Sequence, residues 1–179
     1  MKNSKNVYII LTYTGTVLSK IIKFYTGAEF SHVSIALDED LNEMFSFGRL
    51  NPYNPFIGGF VQEGIDIGTF KRFKNTIAEI YSIELTNKQY KLLKKEIKKI
   101  EKQKDCYRFN TIGLFAVAFN KRIKRHNCFY CAEFIKYLVD SADLNLGLPD
   151  IIKPIDFKQI DKLELKYKGV LRNYKLING

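Results

Sequence analysis

Four prolines and 11 glycines in 179 residues, with no repeated or low-complexity stretch, exclude collagen-like, solenoid and largely disordered chains. Apolar residues make up 46% of the sequence, which suits one core rather than two, so residues 1–179 read as a single domain. Long hydrophobic runs are missing as well. The run at residues 7–13 is interrupted by Thr12 and closed by Gly15, with no small-residue cleavage pattern behind it, so no secretory signal is expected. The next run, residues 111–119, is about half the roughly 20 residues that a membrane-spanning helix needs. Cysteine is scarce and odd in number. Cys106, Cys128 and Cys131 argue against a disulfide scaffold and for free thiols in a reducing, cytoplasmic compartment.

Charge is plentiful but uneven. The net charge is +10, and residues 86–125 alone hold 13 basic and three acidic side chains, so the rest of the chain balances. A basic stripe attracts phosphate arrays, either nucleic acid or an anionic membrane surface. The lysines lack the interleaved aromatics of a base-stacking platform, which argues against nucleic acid and for a solvated helix face.

Residues 7–12 read as a buried strand, and residues 16–25 as a short helix with Leu18, Ile21 and Ile22 on one side and Gly27 at its end. A strand at residues 32–37 places His32, Ser34 and Ala36 on one face and Val33, Ile35 and Leu37 on the other. It turns at Asp38-Glu-Asp into a second strand, residues 44–48, on which Ser46 can share the His32 face. Residues 49–59, with Pro52, Pro55, Gly58 and Gly59, read as a loop anchored by Tyr53, Phe56 and Phe60. Another strand is expected at residues 76–85. A Thr86/Gln89 capping box then opens a long helix to about Lys104, whose buried stripe is Tyr90, Leu93, Ile97 and Ile100. A more apolar, buried helix follows near residues 110–120, and a third begins at Cys128–Cys131. One more short helix near Pro154 and Asp156 and a strand within residues 167–174 complete the chain. Strands early and helices late predict an α+β fold, an antiparallel sheet packed against helices.

With two histidines in the chain, cysteine–histidine pairings are few. A cysteine at a helix start beside an imidazole is an activated nucleophile, and a third polar group must orient the imidazole. Cys131 starts a helix. His32 starts a strand whose face carries the small residues Ser34 and Ala36, leaving room for a ligand. Against this stands the commoner role of a free cysteine as a small buried hydrophobe. Cys128 and Cys131 also form a C-x-x-C next to His126, a candidate metal or redox pair that would need Cys106 to complete a zinc site.

Residues 27–37, Gly-Ala-Glu-Phe-Ser-His-Val-Ser-Ile-Ala-Leu, and residues 127–135, Asn-Cys-Phe-Tyr-Cys-Ala-Glu-Phe-Ile, resemble the two motifs of the circularly permuted NlpC-type papain-like cysteine hydrolases. The similarity runs from about Val7 to Ala142, and the order His32 before Cys131 is the mark of permutation. The resemblance implies a permuted papain-like domain in which Cys131 is the nucleophile, His32 the base and Cys128 a packing residue. Ala132 stands where the family has serine. For the orienting group the matching position is Ser46, whose hydroxyl carries no charge, and Glu63 is the next carboxylate in line. Tyr107 resembles a tyrosine that lines the active-site cleft in related enzymes, and with Tyr130 it is expected to bind substrate.

The implied chemistry is acyl transfer through a thioester on Cys131, needing no cofactor, on a small peptide-like amide or a lipid acyl group as in the similar lecithin:retinol acyltransferase family. The rival reading is a catalytically weak or inactive module that docks an anionic lipid or other anionic partner through residues 86–125.

Overall fold

The computed structural model describes residues 4–178, except for the side chains of Leu18, Tyr25, Thr26, Pro55, Phe56, Ile177 and Asn178. The expected burial of Leu18 and anchoring by Phe56 therefore lie outside the described residues.

The chain opens with β1 (Ser4–Tyr13) and α1 (Val17–Thr26), which Thr16 caps by accepting the Ser19 N–H. Gly27 ends α1 at φ 64°, the left-handed conformation that glycine adopts without strain. Then come β2 (His32–Ala36), β3 (Met44–Asn51), β4 (Asn54–Glu63) and α2 (Gly68–Arg72). Next are β5 (Ile77–Thr86), α3 (Asn87–Lys102), β6 (Arg108–Phe109), α4 (Thr111–Ala118), β7 (Cys128–Phe129) and α5 (Cys131–Ser141). A 3-10 turn at Pro154–Gln159, then β8 (Glu164–Val170), a second 3-10 turn at Leu171–Tyr174 and α6 (Lys175–Asn178) follow.

Six strands form one antiparallel sheet in the order β4-β3-β2-β1-β5-β8, so the fold is mixed α+β. Strand alternation gives the sheet two buried faces. Val7, Ile9, Leu11, Val33 and Ile35 pack with Leu93 and Ile97 of α3 and Phe134, Ile135 and Leu138 of α5. On the other face Tyr8, Ile10, Ala36, Met44 and Ile80 are covered by Phe70 of α2 and by Leu171 and Tyr174. Both bonds of the Thr86/Gln89 capping box are present at the start of α3.

Three expectations are corrected. Residues 49–59 are the arms of the β3–β4 hairpin, not a loop, with Pro52 at the turn and Pro55 on an edge strand that needs no N–H there. Tyr53 is 76% exposed and anchors nothing in the core. The strand expected within residues 167–174 begins earlier, at Glu164, and gives way to a 3-10 turn after Val170. The apolar helix near residues 110–120 is only half covered, since Ile112, Phe115 and Phe119 are exposed. No helix among the described residues is long and apolar enough to cross a membrane.

One buried charge is well placed for a test. Glu79 on β5 is buried and binds Lys158 at 2.8 Å, Lys168 at 2.9 Å and the Tyr81 hydroxyl at 2.6 Å. Burial alone would raise its pKa, but these three donors hold it down at about 2. The group contributes stability above its ordinary value of 4.5 and loses it as the pH falls toward 2. Glu79→Gln should cost about 2 kcal/mol at neutral pH, and denaturant unfolding at pH 7, 4 and 2.5 should show that difference shrink toward acid.

Candidate active site

His32 is the first residue of β2, held by the Ser31 N–H donating to the Thr12 carbonyl at 3.1 Å. Its side chain is 19% exposed, and its Nε2 lies 3.1 and 3.2 Å from the two carboxylate oxygens of Glu63, the last residue of β4. Ser34, two residues along β2 on the same face, donates its hydroxyl to Glu63 Oε2. The carboxylate is thus fixed between two β2 side chains although β3 separates the strands. A Cβ at Gly48 would sit 3.4 Å from both His32 Cε1 and Glu63 Oε1, so a residue without a side chain marks where the pair meets.

Cys131 is the first residue of α5 and only 3% exposed. Its thiol and His32 face the same cavity, and the thiol is among the groups that raise the imidazole pKa, while Nε2 is taken by Glu63. The N–H groups of the first helical turn have no intrahelical acceptors and point toward this end of the helix. Cys131, His32, Glu63, Gly48, Arg49 and Phe109 line a common cavity of about 80 Å³. Burial alone would lower the His32 pKa. The Glu63 charge and the bonds to Cys131 and Glu63 outweigh it and raise the imidazole to about 10.

Two short elements bring the halves of the chain together. β6 and β7 pair in parallel, Arg108 opposite Cys128 and Phe109 opposite Phe129, which places Phe109 at the cavity and Cys131 two residues beyond the bridge. Asn110, fully buried, accepts the Gly113 N–H and donates to the Ile123 carbonyl and the Glu133 carboxylate. Glu133 in turn accepts the Tyr130 N–H at the start of α5. Gly58 on β4 is required here, because a Cβ would approach Phe109 Cβ to 2.9 Å.

Of the residues singled out from sequence, Cys131, His32 and Glu63 come together; Ser46, Tyr107 and Tyr130 do not join them. Ser46 is fully buried, with its hydroxyl donated to the Val33 carbonyl at 2.8 Å. It ties β3 to β2 where their two-pair ladder, Ile35–Phe45 and Ala36–Met44, has ended, so it holds strands rather than the imidazole. Tyr107 stacks on Phe129 in the aromatic cluster around Phe47, away from the cavity lining. Tyr130 is buried and spends its hydroxyl on the Ile152 carbonyl at 2.9 Å. The space expected above the His32 imidazole is present, since His32 lines the cavity together with Gly48 and Arg49, while Ser34 and Ala36 themselves are buried. Sequence reasoning missed Arg49, Phe70 and Phe109; Gly58 on the hairpin was the available signal. Cys106 is exposed, Cys128 half-buried, and among the described residues no cluster of three His, Cys, Asp or Glu is arranged to hold a metal ion.

No protein family, curated protein or solved structure matches this chain.

The raised His32 pKa has a definite sign. A protonated imidazole held by Glu63 stabilises the fold fully below its ordinary value of 6.5, and the contribution disappears as the pH rises through about 10. Glu63→Gln should therefore cost about 2 kcal/mol at pH 6 and progressively less toward pH 10. With only two histidines, proton NMR can follow His32 directly, and its titration should move well below 10 in the variant.

Proposed function

We propose that the protein is a cysteine hydrolase or acyltransferase of the permuted papain-like kind, acting on an amide or ester through a thioester on Cys131. The observation that carries this reading is the imidazole of His32 held between a thiol and a carboxylate at a cavity. His32 holds the proton that the Cys131 thiol gives up, and Glu63 stabilises the imidazolium and fixes the ring. Sulfur attacks the substrate carbonyl, and N–H groups at the α5 start receive the oxyanion. The tetrahedral intermediate expels an amine or alcohol that takes the His32 proton. Water, activated by the neutral imidazole, or a second acceptor then releases the acyl group. Glu63 beside the imidazole supports this reading over the docking module, because a carboxylate can stabilise an imidazolium where the Ser46 hydroxyl, which carries no charge, cannot.

A specific feature favours an anionic membrane surface as the place of action. Ile112, Phe115, Phe119 and Ile123 are exposed on one short stretch that continues into Lys121, Arg122, Lys124 and Arg125. Apolar side chains that enter the headgroup region beside cations that meet its phosphates are the pattern of an interfacial segment. Leu114 of the same helix lines the cavity. Phe119→Ser should abolish co-sedimentation with phosphatidylglycerol vesicles at low salt. Equal pelleting of variant and unaltered protein would remove this surface from the proposal.

The nucleophile is tested by iodoacetamide labelling of Cys131, site-resolved by mass spectrometry. The rate at pH 6 should fall about tenfold or more in His32→Ala and in Glu63→Gln, whereas Ser46→Ala should keep it. Slow labelling at pH 6 that is indifferent to His32 would leave the docking module as the better account.

A further inference from the structure

Arg49 lines the cavity that holds Cys131 and His32. It lies where the β3–β4 register shifts between Arg49 and Asn51, and its guanidinium donates to the Thr16 hydroxyl at 2.8 Å. The Phe73 ring centroid is 5.9 Å away. Among the described residues no carboxylate lies within ion-pair distance of it. The cavity's own carboxylate, Glu63, is taken by His32 and Ser34. The charge that Arg49 does feel is a like one, Arg72, and burial followed by that repulsion lowers its pKa. Arg72 is pinned beside it, donating to the Pro52 carbonyl and lying 4.1 Å over the Tyr53 ring.

A half-buried guanidinium with a second cation next to it and no counter-ion is unfavourable in the free protein, and an entering anion relieves it. The planar fork suits a doubly hydrogen-bonded oxo-anion better than a neutral amide. We infer that Arg49, supported by Arg72, is the recognition site for an anionic oxo group, a carboxylate or a phosphate, carried by the acyl substrate of this cavity. The inference rests on Cys131 being the nucleophile proposed above. It narrows the substrate to acyl compounds with a negative charge close to the scissile carbonyl, and it assigns the selection to residues outside the basic segment 86–125.

Iodoacetate and iodoacetamide make the comparison directly. Each alkylates the Cys131 sulfur and releases iodide, and they differ only in carrying a carboxylate or a neutral amide. At pH 6 and low salt the ratio of their rates should favour iodoacetate, fall about fivefold in Arg49→Gln and be partly kept in Arg49→Lys. Lys91→Gln, which removes the same charge from the exposed face of α3, should not move it. In the unaltered protein the source of the anion follows from competition. Inorganic phosphate erasing the preference at lower concentration than acetate assigns a phosphate ester, and the reverse order assigns a carboxylate. A ratio identical in Arg49→Gln and the unaltered protein overturns the anion site while leaving the nucleophile intact. Failure of both reagents to label Cys131 at pH 6 overturns the nucleophile and, with it, this inference.

Discussion

A carboxylate on one strand reaching an imidazole two strands away is the constraint to which the rest of the site conforms. β2 and β4 never pair, and β3 lies between them. Glu63 pairs with Met44 in register yet bonds to Ser34 and His32, so its side chain runs diagonally back across the sheet. That path runs beside Gly48 of β3, where a Cβ would lie 3.4 Å from both His32 and Glu63. It requires β2 and β3 to stay together after only two ladder pairs, which is what the Ser46 hydroxyl on the Val33 carbonyl achieves. A buried carboxylate without a partner would carry a large desolvation penalty, so the pair and the strand geometry stabilise each other.

The thiol arrives from the other half of the chain by a different kind of restraint. Cys131 stands at the start of α5, whose position depends on the parallel β6–β7 bridge and on Asn110. Asn110 caps α4, holds the chain near Ile123 and binds the Glu133 carboxylate, so one buried amide ties two segments to the start of α5. The contact between Gly58 and Phe109 then fixes the bridge against β4. Cys131 and His32 thus sit on rigid elements, one at a helix start and one at a strand start, with a cavity where those elements diverge.

The parts of this arrangement that follow local periodicity were legible in the sequence. The alternation through residues 32–37, the Thr86/Gln89 cap and the start of α5 at Cys131 each depend on neighbours within a few positions. The Ser46 expectation followed the same logic and missed, because sharing a face with His32 does not decide where a hydroxyl turns when the adjacent strand offers an unpaired carbonyl. Residues 49–59 differ from the expectation for a related reason. Two prolines and two glycines look like a loop, but a turn at Pro52 and an edge strand accommodate all four. Tyr107 and Tyr130 are read as substrate-binding residues, Tyr107 because it resembles a tyrosine that lines the cleft in related enzymes. Their hydroxyl and ring partners, Ile152 and Phe129, are set by packing that no local pattern reveals.

Charge is where composition misleads most. The whole excess of +10 falls in residues 86–125, which draws attention to the lysines of α3. On the fold those lysines line an exposed helix face, and some are already matched, Lys94 with Glu43 and Lys99 with Glu96. Solvated cations of this kind contribute little to any one contact, because water and salt screen them. Arg49 comes from the part of the chain whose charges balance, and it shares a cavity with Cys131. Half-buried and without a counter-ion, it acts through a lower effective dielectric than any surface lysine. The strength of an electrostatic site here follows from burial and from what is missing beside it, neither of which a count of residues contains.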